Sequence, residues 1–218
     1  MLCFDVSAIH TVHASGEVSI ETSIDPASTI KNVAKAGWQF YLKKELQNVR
    51  WYGYGLETYP DRNAAGMVDV YNATVPQLWH NHIVPQENGN RSDVRWVALS
   101  DNDGYGLFAD SDTLMNFSAY QYADNAVFAA KHTHALVLLD HVIFNFDYKQ
   151  HGIGTATCGP GVFEPYVLKA EPMHFRFRLV PADLTTFDPT EIYRSAMKPF
   201  EQLPRLSKPQ IKLSEAFF

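Results

Sequence analysis

Apolar and polar residues alternate with period two over much of this chain, the spacing of strands that bury one face. Val18, Ile20, Thr22 and Ile24 fall on one side of a strand, with Ser19, Glu21 and Ser23 on the other, after a turn at Ala14-Ser15-Gly16-Glu17. Trp38, Phe40 and Leu42 alternate with Gln39, Tyr41 and Lys43, and Val49 and Trp51 with Arg50 and Tyr52. The run Arg95 to Leu99 leads through Ser100-Asp101-Asn102-Asp103-Gly104 into Tyr105-Gly106-Leu107-Phe108, which predicts a hairpin. Met173, Phe175, Phe177 and Leu179 alternate with His174, Arg176, Arg178 and Val180. Leu136 to Phe146 is too continuously apolar for a one-sided strand and predicts a strand, or strand pair, covered on both faces.

Helical signals are few. Tyr122 to Lys131 suits a short helix. Near the C-terminus Asp188 can cap, Pro189 fits the first helical position, and Glu191 completes a capping-box pattern before Ile192 to Met197. Pro199, Pro204 and Pro209 then interrupt regular structure, so residues 182–218 read as a tail with a short helix that packs on the body or on a partner. The pattern predicts an all-β, mostly antiparallel sandwich with a short helical, Pro-rich C-terminal tail.

Composition narrows the class. The chain has 218 residues with a formal net charge of −6, and 46% of its residues are hydrophobic. That length and apolar content can bury a real core and exclude a disordered chain. No apolar run approaches the ~18 residues of a membrane span, and the first residues lack a basic segment followed by an apolar stretch. The acidic balance argues against a nucleic-acid surface. Two cysteines, Cys3 and Cys158, make no disulfide framework, so the expected location is the reducing cytoplasm. Aromatic residues reach 13%, which suits a β-rich core and also supplies flat faces on which sugar rings stack.

Little chemistry is legible from spacing. His80 and His82 flank Asn81, and His132 and His134 flank Thr133. On strands such pairs would point one way and offer two metal ligands, but no Cys pair or acidic partner stands at a telling distance. Surface or satisfied core histidines are the expected reading. Glycoside chemistry needs two carboxylates about 5–5.5 Å or ~6.5–9.5 Å apart. Glu57, Asp61 and Glu87 lie in loop-like segments, yet spacing selects no pair among 24 acids. Nucleophile-elbow and phosphate-loop motifs are missing. The segment Gly152-Ile153-Gly154-Thr155-Ala156-Thr157-Cys158-Gly159-Pro160-Gly161 is a loop whose glycines permit positive φ. No basic neighbour in sequence activates Cys158.

Three segments together carry a resemblance. Trp51-Tyr52-Gly53-Tyr54-Gly55-Leu56-Glu57-Thr58-Tyr59-Pro60-Asp61-Arg62 resembles a signature in the last domain of the large family-2 β-galactosidases, with Thr58 where that family usually has Asn. Pro85-Gln86-Glu87-Asn88-Gly89-Asn90-Arg91 is similar to that domain's Pro-x-Glu-Asn-Gly-x-Arg turn. His151-Gly152-Ile153-Gly154 followed by Cys158-Gly159-Pro160 resembles its Gly-Ile-Gly loop. Order and spacing agree from about Gly16 to Pro181, most of the chain.

The resemblance implies an antiparallel supersandwich of the galactose-mutarotase type over residues 1–181, and a small chain whose large partner holds the catalytic barrel. The acid/base and nucleophile glutamates and Mg²⁺ would then belong to that partner, with no catalytic residue, metal or cofactor in this chain. Cys158 and Gly159 are expected at the substrate rim. Glu57, Tyr59, Pro60, Asp61, Arg62, Glu87, Asn88, Gly89, Arg91, Gly152 and Gly154 are expected to be structural. Arg62 and Arg91 would pair with carboxylates, Asp61 and Asn88 would serve turns, and Gly89 a positive-φ corner. The family's domain normally has about a hundred more residues before the point matching Met1, so the chain is expected to leave open strand edges and to self-associate or be poorly soluble. Three functions follow: an accessory subunit of a β-galactosidase acting on terminal β-galactosides such as lactose, a stand-alone carbohydrate-binding domain, or an aldose 1-epimerase-like protein.

Overall fold

The period-two runs form nine strands, paired antiparallel throughout the computed structural model, which describes residues 4–154, 159 and 161–196. In chain order they are β1 (Phe4–Val12), β2 (Val18–Pro26), β3 (Lys35–Lys43), β4 (Asn48–Tyr54), β5 (Val68–Thr74), β6 (Arg91–Ser100), β7 (Tyr105–Tyr120), β8 (His141–Gln150) and β9 (Met173–Asp183). Short helices α1 (Val75–Leu78), α2 (Asp124–Ala129) and α3 (Pro189–Ala196) are added to them. The alternations of β2, β3, β4 and β9, the β6–β7 hairpin and both expected helices are all present. None of the described helices is long and apolar enough to cross a membrane.

One long strand organises the sheet. The first half of β7 pairs with β9, Tyr105 opposite Asp183 through Ser111 opposite Phe177. Its second half pairs with β8, Asn116 opposite Asp147 through Tyr120 opposite Ile143. Strand β6 follows it along both halves, with register shifts between Arg91 and Trp96. The sheet therefore divides into two leaves at the middle of β7, one ordered β1-β2-β9-β7 and the other β7-β8-β3. Apolar side chains on the facing sides of these leaves fill the space between them. The Phe177 ring lies 5.5 Å from Phe146, 6.1 Å from Phe40 and 6.5 Å from Trp38. Thr22, a polar residue on the buried side of β2, accepts a 2.9 Å hydrogen bond from Trp38 Nε1 across the gap. That bond gives the indole N–H a partner inside the core.

A second, smaller core covers the other face of β6. Trp96, Ala98 and Phe108 are buried beneath Tyr52, Leu184, Ile192 and Tyr193, so the start of the expected tail lies against the body. Asp188 caps α3 by accepting from the Thr190 N–H at 2.9 Å, and Pro189 takes the first helical position.

Two expectations need correction. The strand within the apolar run begins at His141, and Val137 and Leu138 lie exposed in the loop before it. Only Val142 to Phe146 is buried on both faces. The histidine pairs are not on strands: His80 and His82 follow α1 in a loop, and His132 to His134 enters a 3₁₀ turn. Polar residues interrupt both segments too closely for a half-buried strand.

Candidate functional site

Residues 51–62, 85–91 and 151–154, far apart in sequence, meet at one end of the two-leaf sheet. Strand β4 ends at Tyr54, where Trp51 Nε1 donates to the Tyr54 carbonyl at 2.8 Å. The loop that follows is tied to the second segment through Thr58. Its N–H donates to the Asn90 carbonyl (2.9 Å), its carbonyl accepts from Asn90 Nδ2 (2.7 Å), and its hydroxyl oxygen accepts from the Ser92 N–H (2.9 Å). Arg91 stacks its guanidinium over the Trp51 ring at 5.8 Å. Asn88, buried, accepts from the His80 N–H at 3.0 Å and donates to the Gln86 carbonyl at 2.9 Å. Gly89 turns the corner at φ +83°, where a side chain would also press on the Leu78 carbonyl. Glu57 and Glu87 stand exposed on these loops, and Pro60 is half-buried.

The third segment is clamped by the first. Asp61 accepts from the Ile153 N–H at 3.1 Å through Oδ1 and from the Gly154 N–H at 2.7 Å through Oδ2. Arg62 Nη2 donates to the Gly154 carbonyl. At Gly152 a Cβ would sit 2.9 Å from the Asp61 carboxyl carbon, and Gly154 takes φ +58°. The glycines thus let the backbone come close enough for a carboxylate to hold two successive amides. Both oxygens of Asp61 are engaged in holding the loop.

Neither arginine pairs with a carboxylate among the described residues, contrary to expectation. Arg62 binds the Gly154 carbonyl, and Arg91 Nη1 binds the Leu78 and Gly89 carbonyls at 3.1 and 2.6 Å. Loop carbonyls without a strand or helix partner are satisfied this way. Tyr59, buried under the same loops, has a hydroxyl with no close hydrogen-bond partner among the described residues, and burial, reinforced by Glu87 and Glu57, pushes its ionisation up. Gly159 is exposed, and Cys158 lies outside the described residues.

Beside this junction the outer face of the β7–β8–β3 leaf is polar and largely buried. The register puts Asn116, Ser118 and Tyr120 of β7 next to Asn145 and Asp147 of β8 and Gly37 and Gln39 of β3. Gln39 donates to Asp124 (2.9 Å) and Asn145 (3.0 Å). Asn145 donates to Ser118 and Tyr120 (both 3.0 Å), and Tyr120 donates to Asp124 at 2.6 Å. Trp79 stands over Tyr120 and Tyr122 with ring centroids 5.6 and 4.8 Å away.

At the end of this row Asp147 is buried, with Lys35 Nζ 4.0 Å away. Gly37 is required opposite it, since a Cβ there would lie 2.3 Å from Asp147 Oδ1. Burial raises the Asp147 carboxyl to about 6, Lys35 opposing and Glu87 and Asp124 reinforcing the shift. Burial would lower the Lys35 amine, but Asp147, Glu87 and Asp124 together hold it above its ordinary value.

A raised carboxyl pKa makes the fold bind a proton that the unfolded chain has released. The Asp147 contribution to stability is therefore fully present below the ordinary carboxylate range and is lost as pH rises from about 4 to about 6. Asp147→Asn is expected to remove that slope. The stability of the variant relative to wild type, followed by urea unfolding, should rise by about 2 kcal/mol between pH 4 and pH 7. A pH-independent difference would show that Asp147 titrates normally.

The two histidine pairs lie on neighbouring loops joined by a hydrogen bond. The His80 and His82 rings lie 4.5 Å apart and those of His132 and His134 5.4 Å apart, and Thr133 Oγ1 donates to the His82 carbonyl at 2.8 Å. Among the described residues no three His, Cys, Asp or Glu side chains group as metal ligands.

Comparison with known proteins follows the motifs. Residues 2–179 match the family model described as "Beta galactosidase small chain". A beta-galactosidase of Arthrobacter sp. (strain B7) is 35% identical over 144 residues, covering 63% of this chain and 14% of that protein. One from Priestia megaterium (strain DSM 319 / IMG 1521) is 29% identical over 146 residues, covering 66% of this chain and 14% of its own length. The chain thus spans about one-seventh of the length of these relatives. Among solved structures, a putative aldose 1-epimerase from Escherichia coli K12 aligns with TM-score 0.42 and 14% identity, over 84% of this chain and 62% of that one.

Proposed function

We propose, on the premise that this chain belongs to the β-galactosidase small-chain family, that it is the accessory subunit of a retaining β-galactosidase. In this reading the two catalytic glutamates and Mg²⁺ reside on a large cytoplasmic partner chain, and the substrate is a terminal β-galactoside such as lactose. The present chain supplies part of the rim of the catalytic cavity. The loop rooted at Gly152–Gly154 runs on to Cys158 and Gly159, which lie beside the leaving-group end of the substrate. A cysteine there offers little stacking area, so the aglycone is held loosely on that side.

The observation that carries this reading is the convergence of all three motif segments on one clamped loop. Asp61 and Arg62 hold the backbone of residues 153 and 154 from both its donor and its acceptor side, while Arg91 and Thr58 lock the other two segments together.

Co-expression with the cognate large chain tests the reading. Hydrolysis of a chromogenic β-galactoside is expected only when both chains are present. Turnover by this chain alone, or a mixture no more active than the large chain, would overturn it.

A second reading, carbohydrate binding by the chain itself, draws support from the polar row of Gln39, Asp124, Asn145 and Asp147 beside Tyr120, whose ring Trp79 contacts. Amides and carboxylates of this kind hydrogen-bond sugar hydroxyls while an indole covers the ring face. Calorimetric titration of the isolated chain with lactose separates the two readings: heat of binding without the partner favours the second.

A further inference from the structure

The polar row on the β7–β8–β3 leaf uses its hydrogen-bonding capacity unevenly. At one end Gln39, Asn145, Tyr120 and Asp124 donate to and accept from one another. At the other end the capacity is unspent. The Lys35 amine, the Asp147 and Glu87 carboxylates and Asn116 Nδ2 make no hydrogen bond among the described residues. Lys35 Nζ and Asp147 Oδ2 stand 4.0 Å apart, beyond hydrogen-bond reach. Yet the Asp147 side chain is only 5% exposed. A carboxylate so buried ordinarily has its lone pairs met by donors, since the ion pair alone does not repay its desolvation.

A bulge creates this end of the row. Ala36 pairs with Lys149 and Gly37 with Asp147, so Tyr148 is an extra residue in β8 and turns inward, its ring 5.0 Å from Phe175. Asp147 is thereby directed outward, and its Oδ1 fills the place that a side chain at Gly37 would take. Lys35, two residues before Gly37, projects to the same side of β3. Asn116 is the register partner of Asp147 on β7, and its Oδ1 accepts from Asn90 of the motif junction at 3.4 Å. Glu87 of the same junction and Asp124 of α2 lie close enough to act on both charges.

We propose that this end of the row binds a vicinal diol of a neutral sugar, with Asp147 accepting from the hydroxyls and the Lys35 amine donating to one of their oxygens. The inference rests on the second reading above, binding by the chain itself, and fixes where the sugar sits. Each hydroxyl of a diol is both donor and acceptor. Two adjacent ones therefore satisfy a carboxylate and an ammonium 4.0 Å apart, which neither group does for the other. Asn116 Nδ2 adds a donor beside Asp147, giving the few placed polar groups that orient a small ligand. An anion is disfavoured, because Asp147, Glu87 and Asp124 surround the one amine. A metal ion is disfavoured too, since among the described residues no three acidic, His or Cys side chains group as ligands.

The test titrates the full chain with D-galactose and with lactose and follows its backbone amide signals by NMR. Shifts are expected at Gly37, Asn116 and Asp147. Lys35→Met, which keeps the apolar stem, and Asp147→Asn are each expected to weaken binding by at least about tenfold. If a sugar binds but its shifts map elsewhere, or both variants bind it as tightly, the site is wrong and the carbohydrate-binding reading stands. If neither sugar binds the wild type, that reading fails and the site with it. Potassium or ammonium chloride moving the same amides where the sugars do not would make this a cation site and overturn the proposal. Where a variant fails to fold, the wild-type shift map decides by itself.

Discussion

Phe177→Ala is expected to destabilise the chain by about 3–5 kcal/mol, a large share of the ~5–15 kcal/mol that holds a typical domain together. Phe177 is buried where the two leaves face each other, with the rings of Trp38, Phe40, Phe146 and Phe175 all within 6.5 Å. Truncation removes its transfer free energy and leaves a void that four large rings, each held by its own neighbours, cannot close. Arg176 and Arg178 on either side in β9 face the other way. Arg178 pairs with Asp110 at 2.6 and 2.8 Å, so the strand cannot rotate to fill the gap. Urea unfolding checks this, with Phe187→Ala as the control, since Phe187 is exposed and its loss should cost less than about 0.5 kcal/mol. A loss below about 1 kcal/mol at Phe177 would mean that the leaves do not pack there.

Asp61→Ala should have the second largest effect, on a different scale of structure. Two backbone amides lose a charged acceptor, and Arg62 loses the fixed position of its carbonyl partner. Hydrogen bonds to a carboxylate contribute about 1.5–3 kcal/mol each, so local opening of the loop should become easier by about 2–4 kcal/mol. Hydrogen exchange at Ile153 and Gly154 is the direct measurement, and it should speed by two orders of magnitude or so. Asp61→Asn keeps one acceptor oxygen and should fall between the two. In the reconstituted enzyme, Asp61→Ala should lower kcat/KM for a galactoside by about tenfold, equivalent to about 1.4 kcal/mol at the transition state. Unchanged exchange at these amides would dismiss the clamp, and unchanged kcat/KM with fast exchange would separate the loop from the substrate.

Much of the architecture is written in local pattern. Alternation marks one-sided strands wherever one face is buried, which is why β2, β3, β4 and β9 stand out. Strand β5 is harder to see because Val68 and Val70 are exposed at the end of the sheet, where alternation reports no core. Four-residue α1 is barely one 3.6-residue turn, too short for a hydrophobic repeat to show. In the run from Leu136 the pattern misleads, since apolar residues destined for solvent read like those destined for the core.

At the candidate site the division is clearer. The residue types of the motifs are visible in the chain, and so is the need for glycine at a positive-φ corner such as Gly89. Their partners are not. A carboxylate in a loop can pair with an arginine or with backbone amides, and local sequence does not distinguish the two. That Asp61 takes two amides and Arg62 a carbonyl depends on residues more than ninety positions away. The polar row behind Asp147 is hidden for the same reason, since its members come from three strands and a helix and become neighbours only through register.

By itself, then, the amino-acid order determined the one-sided strands β2, β3, β4 and β9 with their buried faces, the β6–β7 hairpin, the turn glycines and the family. Period-two burial and permitted φ act over a few residues, and motif identity needs no contact at all. Tertiary structure alone decided which carboxylate holds which loop, why Asp147 keeps its proton to about pH 6, and which apolar residues remain uncovered. Those outcomes depend on distance and desolvation between segments, which fold geometry sets and linear spacing does not carry.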